Sequence, residues 1–225
     1  MTHARDASGI RRGRLTRERI IEVGVALAQG ADASAISVRS IGAALGVDPT
    51  AAYRYFPSKQ ALMQALLDAV LTQVLARVDV AADWRTRLRS LAVATLDVFT
   101  LYPAIAVEAT VLTTNGPAET ETVEIILGAF AEAGLDSASM VRHYALFSSF
   151  VLSGAAGIAH ARISNGGSDG DGADNLWLEG PLLVDPTKHP HFAAAASELV
   201  ALRDNEIFLF GVDSVIESAE RHAAG

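Results

Sequence analysis

Apolar residues recur at three- and four-residue spacing through almost the whole chain, and strand-like alternation is nearly absent. The pattern predicts a first helix from about Thr16, a plausible N-cap, to Gln29, with Gly30 as its stop and Ile20, Val23, Ala26 or Leu27 as its apolar stripe. Ser37 caps a short second helix with Val38, Ile41 and Leu45 facing inward, and Gly46 supplies the left-handed turn that ends it. Asp48 caps a third helix with Pro49 at its first position, where a missing N–H costs nothing. Pro57 and Ser58 break that helix and start a fourth, from about Lys59 to Val80, with Leu62, Leu66, Ala69, Gln73 and Val74 on one face.

Further helical periods cover Trp84 to Leu101, a short piece near Ala104 to Leu112, Pro117 to Ala133, Ser137 to Ile163, Phe192 to Leu202 and Asp204 to His222. Ser164 to Pro190, rich in Gly, Asp and Ser, reads mostly as a flexible loop. The expected fold is all-α: an N-terminal three-helix helix-turn-helix head and a larger helical body. The boundaries are a basic tail over 1–14, the head over 15–60 with the fourth helix as connector to about 80, and the body over 81–225 with its loop near 164–187.

Composition narrows the function classes. Half of the 225 residues are hydrophobic and there is no cysteine, which removes disulfides, thiolate metal sites and cysteine nucleophiles. The N-terminus lacks the apolar run of a secretory signal, so a cytoplasmic protein is expected. The net charge of -8 conceals a division: residues 1–60 hold nine basic and five acidic side chains, whereas the remainder holds nine basic and 21 acidic. A head at +4 on a body at -12 suits nucleic acid at one end only.

The third helix carries the groups for such contact. Its N-terminal turn presents Pro49 and Thr50; Tyr53, Arg54 and Tyr55 follow, and Lys59 opens the next helix. These side chains suit phosphates and base edges. Thr16, Arg17, Ser37 and Arg39 open the two preceding helices and could hold flanking phosphates. The competing reading makes the two tyrosines packing aromatics with solvated hydroxyls, and it is stronger for Tyr55 than for Tyr53.

The stretch VRSIGAALGVDPTAAYRYFPSKQALMQALLD resembles the DNA-binding region of the tetracycline-repressor (TetR) family of bacterial regulators, over roughly Leu15 to Val80. The Tyr-x-Tyr-Phe run followed by Ser-Lys is its most specific element. The resemblance implies operator contact by Tyr53, Lys59 and the N-terminal residues of the third helix. Ala51 and Ala52 depart from many relatives and leave Thr50, Arg54 and Tyr55 to read sequence, helped by DNA shape. NEIFLFGVDSVIESAERH is similar to the end of the tetracycline-repressor subgroup, which implies a last helix at a dimer interface. That subgroup holds a magnesium–tetracycline chelate through a histidine after the fifth helix. YPAIAVEATVLTTNG has none, so neither tetracycline nor a metal or other cofactor is implied.

The run His143–Ala161 has no charged residue and is long enough to cross a membrane, but its serines and glycines favour a helix buried in the core and in a homodimer. Ser149, Ser153 and Gly157 are expected at that interface, with Phe208, Val212, Val215 and Ala219 from the last helix. Phe99, Tyr102, Glu108, Asn115, His143, Phe147 and Phe150 are candidates to line an effector pocket. The expected function is a ligand-responsive repressor, not an enzyme, binding a palindromic DNA operator as a homodimer and released by a small, mostly apolar effector. The alternative is a helical ligand-binding protein or enzyme without operator binding.

Overall fold

The structure, a computed structural model, describes residues 15–29, 36–164, 177 and 182–223. The basic tail and most of the glycine-rich loop lie outside the described residues. Ten α-helices and one 3-10 turn carry the described chain: α1 Arg17–Ala28, α2 Val38–Leu45, α3 Pro49–Ala52, α4 Lys59–Leu75, α5 Trp84–Leu101, α6 Pro103–Ala106, the 3-10 turn Val107–Thr110, α7 Pro117–Glu132, α8 Ser137–Ser164, α9 Pro190–Ala201 and α10 Asp204–Ala223.

Side-chain caps set the helix starts in the head. Thr16 accepts the Arg19 N–H, Ser37 and Ser40 form a reciprocal capping box, and Asp48 accepts the Thr50 N–H. Gly46 ends α2 at φ 65°, a conformation that favours glycine. Ile20, Ile41, Ala52 and Phe56 meet Leu62 and Leu66 of α4 in one core. The α1–α4 crossing is close: a Cβ on Gly24 would lie 2.6 Å from Leu66 Cδ2. α4 therefore belongs to the head through one face.

Its other faces belong to the body, which explains why α4 buries Leu62, Met63, Ala65, Leu66, Leu67, Val70, Leu71 and Val74, a wider surface than a single stripe. α4 packs on α5 and α7 as well as α1. It stops at Leu75 rather than continuing to Val80. The Arg77 and Val78 N–H groups tighten onto the Val74 and Leu75 carbonyls, and Asp79 accepts the Ala81 N–H. Asp83 then caps α5 through Arg85 N–H and the Thr86 hydroxyl.

In the body α8 is the central strut, packed on α5, α7 and α10. It is long and apolar enough to cross a membrane by length and composition. Phe147, Val151, Ala155, Ala156, Ile158 and Ala159 make its inner face instead a core surface. α10 lies on α8 and α5, and its exposed ion pairs to α5, Arg85–Glu220 and Arg89–Asp213, contribute little stability on their own. α9 differs from every other long helix: it buries no residue, and Phe192 is 42 % exposed.

Candidate nucleic-acid interface and effector cavity

The short α3 is held by its cap. Asp48 Oδ1 accepts from the Thr50 N–H at 2.7 Å and from the Thr50 hydroxyl at 2.5 Å. The Thr50 hydroxyl, followed by its N–H, holds the Asp48 carboxyl below its usual range. Ala52 and Phe56 turn inward, which leaves Thr50, Tyr53, Arg54 and Lys59 exposed, Tyr53 by 52 %. Arg39 is also exposed, on α2.

Other expected contact residues have local work. The Tyr55 hydroxyl turns back and donates to the Leu15 carbonyl at 2.5 Å, tying the end of α3 to the entry of α1. The Ser37 hydroxyl is engaged with Ser40, and the Thr16 oxygen accepts from α1. Arg17 lies with its guanidinium 4.6 Å from the Phe56 ring centroid, a cation–π arrangement.

A joint connects the head to the body along α4. Gln64 Nε2 donates to the Thr113 carbonyl at 2.7 Å, and the Tyr102 hydroxyl donates to Gln73 Oε1 at 3.1 Å. Between them, Asp68 Oδ1 accepts from the Glu119 N–H and the Thr114 hydroxyl, both at 3.1 Å. An α4 carboxylate thus caps the first turn of α7, whose own N-cap, Gly116, has no side chain. Gly116 makes the approach feasible, since a Cβ there would lie 2.2 Å from Asp68 Oδ1.

Behind this joint lies an inner cavity of about 70 Å³, walled by α4, α5, α7 and α8 and including Thr95, Glu119, Ile126, Tyr144, Phe147 and Ser148. An outer cleft of about 480 Å³ opens between the 3-10 turn and α8. Tyr144, Ser148 and Leu152 line both. A second cleft, about 460 Å³, lies on the outer side of α8 and α10 and includes Phe150, Gly154, Gly157, Trp177, Asp204 and Phe208.

Of the seven pocket candidates, only Phe147 lines the inner cavity, and Phe150 faces the α8–α10 cleft. The others serve elsewhere. Phe99 is fully buried core, and Tyr102 holds Gln73. His143 sits between the Ser139 carbonyl and the Ser218 hydroxyl, against the rings of Phe130 and His222. Glu108 lies on the 3-10 turn, and Asn115 is an exposed turn residue at φ 53°. The missed residues Tyr144, Ser148 and Leu152 share one face of α8 at four-residue spacing, which was the available signal.

The expected interface set divides. Ser149, Ser153 and Gly157 are exposed on α8. Phe208, Val212, Val215 and Ala219, in contrast, are buried inside their own chain, where α10 packs on α8 and α5. Within one chain they belong to the core, and the outward side of α10 carries Phe210, 75 % exposed.

A capped helix-turn-helix head, fused through one shared helix to a helical body with a cavity, defines a regulator that couples DNA to a ligand. Residues 20–66 match the model of bacterial regulatory proteins of the tetR family, and residues 79–221 match the tetracyclin repressor-like C-terminal domain. The chain belongs to the TetR family, a family of ligand-responsive transcriptional regulators. No curated protein sequence matches it.

Among solved structures, the transcriptional regulator SCO7222 of Streptomyces coelicolor, a TetR protein, is 21 % identical, with 92 % of this chain and 99 % of that one covered and a TM-score of 0.71. ActR of Streptomyces coelicolor in complex with actinorhodin is 20 % identical, covering 95 % and 100 %, with a TM-score of 0.77. BioQ of Mycobacterium smegmatis is 19 % identical, covering 93 % and 99 %, with a TM-score of 0.67. At these identities the likeness is one of fold.

Proposed function

We propose that this chain is a repressor that binds a palindromic operator as a homodimer and leaves it when a mostly apolar small molecule occupies the body. The observation that carries the reading is the exposed set Thr50, Tyr53, Arg54 and Lys59 on a capped helix of the basic head. Thr50 and Arg54 read bases, Tyr53 and Lys59 grip phosphate, and Arg39 supports them from α2. Tyr55 is left out of this set because its hydroxyl already donates to Leu15.

Dimerisation through the outer faces of α8 and α10 is supported by exposed Ser149, Ser153, Gly157 and Phe210. It is also supported by α9, because a 12-residue helix with no fully buried residue is marginal in water and gains from a partner's surface. Two-fold symmetry would set the recognition helices one turn of DNA apart, about 34–36 Å. ActR, of similar fold, binds actinorhodin in its crystal, which supports a small-molecule effector here. Occupancy of the body acts on the head only by its differential affinity for two arrangements of α4.

The test is titration of duplex DNA from the gene's own upstream region at several salt concentrations. Binding should weaken steeply with salt and on Arg54→Ala or Tyr53→Phe. Unchanged affinity in both variants overturns the assignment.

A further inference from the structure

We infer that the inner cavity and the outer cleft form one elongated site for an uncharged or cationic compound bearing a hydroxyl or carbonyl group, with Ser148 as its polar anchor, and that acids are excluded. The inference rests on the reading of the body as effector-binding and names the chemical class of that effector.

The shape comes first. Tyr144, Ser148 and Leu152 face both spaces, so they form a neck between a small chamber deep in the body and a roomier outer one, whose Ser149 and Ser153 edge adjoins the proposed dimer face. A flat or narrow molecule threaded through the neck touches both chambers.

The hydroxyls come next. Thr95 donates to the Leu91 carbonyl, Thr122 to Ala118, Thr110 to Val107 and Ser153 to Ser149. Each is turned back onto its own helix and presents carbon or a spare lone pair to the site. Tyr144 and Ser149 also bring hydroxyls to these walls, and Ser148 differs from them all. Its Oγ is buried and has no hydrogen-bond partner among the described residues. A buried hydroxyl without a partner is unfavourable, and an occupant at the neck would supply the missing bond.

Charge completes the case. Among the described residues no lysine, arginine or histidine lines either chamber, and Glu119 is the one carboxylate. One Glu119 oxygen already accepts the Asn115 N–H at 2.6 Å and lies 3.1 Å from the Thr114 hydroxyl, whose one proton serves either it or Asp68. An anion entering here would lose its water beside a carboxylate, with no cation to meet it. A neutral or cationic guest avoids that penalty.

The experiment uses the full chain and two naphthalene probes: Prodan, a neutral ketone, and anilinonaphthalene sulfonate, an anion. Prodan should bind with a fluorescence gain, and the sulfonate should bind roughly tenfold or more weakly. Bound Prodan should emit further to the blue in Ser148→Ala, which removes the donor to its carbonyl. Ser148→Leu should block the neck and abolish binding, while Glu119→Gln should narrow the gap between the probes. Equal affinity for both probes, no binding of either, or Prodan emission unchanged by Ser148→Ala in a folded variant would overturn the inference. Prodan bound as expected but without effect on DNA retention would support the site and sink the regulatory reading instead.

Discussion

Phe150 and Gly211 are fitted to each other across the α8–α10 crossing. A Cβ on Gly211 would lie 2.0 Å from the Phe150 ring. The fit is reciprocal, because Gly154 on α8 leaves room for Phe208 of α10, and the two rings stack with centroids 5.9 Å apart. Gly211→Ala should therefore destabilise the chain by about 1–3 kcal/mol through overpacking, read as a lower urea midpoint at unchanged slope. Gly128→Ala, on α7, where nothing lies within 4 Å of the added carbon, is the control and should not.

Asp68 is the keystone of the α4–α7 contact. Asp68→Ala removes an acceptor from the Glu119 N–H and the Thr114 hydroxyl at once. A loss of about 1–2 kcal/mol is expected, the usual cost of a missing helix cap. Hydrogen exchange should rise first in the opening turn of α7, and a uniform rise across the body would contradict this role.

Three exposed aspartates shape the acid limb of stability. The Thr86 hydroxyl holds Asp83 below its ordinary range, the Ser139 N–H does so for Asp136, and the Thr50 hydroxyl for Asp48. A carboxyl depressed in the fold stabilises it above the unfolded pKa, about 4, and loses that contribution as pH falls through the folded value. The urea midpoint should be insensitive to these groups from neutrality down to about pH 5 and fall below about pH 4. Asp83→Asn should flatten that fall.

At the DNA face, Lys59 and Tyr55 should separate cleanly. Lys59→Ala should weaken binding to all duplexes and reduce the salt slope by about one. Tyr55→Phe removes the bond to the Leu15 carbonyl and should cost roughly 0.5–1.5 kcal/mol of stability with the salt slope intact. A changed slope in Tyr55→Phe would return that residue to the phosphate contacts.

If α8 and α10 pair with a second copy, Phe210→Glu should lower the sedimentation mass to that of one chain without disturbing the helical signal. Phe208→Glu, in contrast, should unfold the protein, since Phe208 is 2 % exposed within a single chain.

These contrasts mark what local sequence could carry. Thr16, Ser37, Asp48 and Gly46 act within three residues of their own positions, so the boundaries of the head were legible without tertiary information. The stop of α4 was not, because it rests on the Asp79 turn. In α10 the apolar stripe was recognised, and within one chain it packs on α8 and α5. Phe208, Val212, Val215 and Ala219 would suit an α8 in the same chain or in another, and periodicity cannot distinguish the two. The effector site was the least legible part. A hydroxyl such as Ser148 becomes notable only once Thr95, Thr110, Thr122 and Ser153 have each found a carbonyl and Ser148 has not, a fact of packing rather than of spacing.

Within two residues of one another, Leu66 of α4 touches the head and Asp68 grips the body, so no flexible segment separates DNA reading from sensing. Seventeen residues of helix make a rod about 25 Å long. Asp68 lies nine residues from Lys59, an arm of about 13 Å, so a swing of roughly 10° about it carries the head end of α4 by about 2 Å, more than half the rise between neighbouring base pairs, about 3.4 Å. If an effector tilts α4, the signal reaches DNA by leverage, with a fulcrum a few atoms wide.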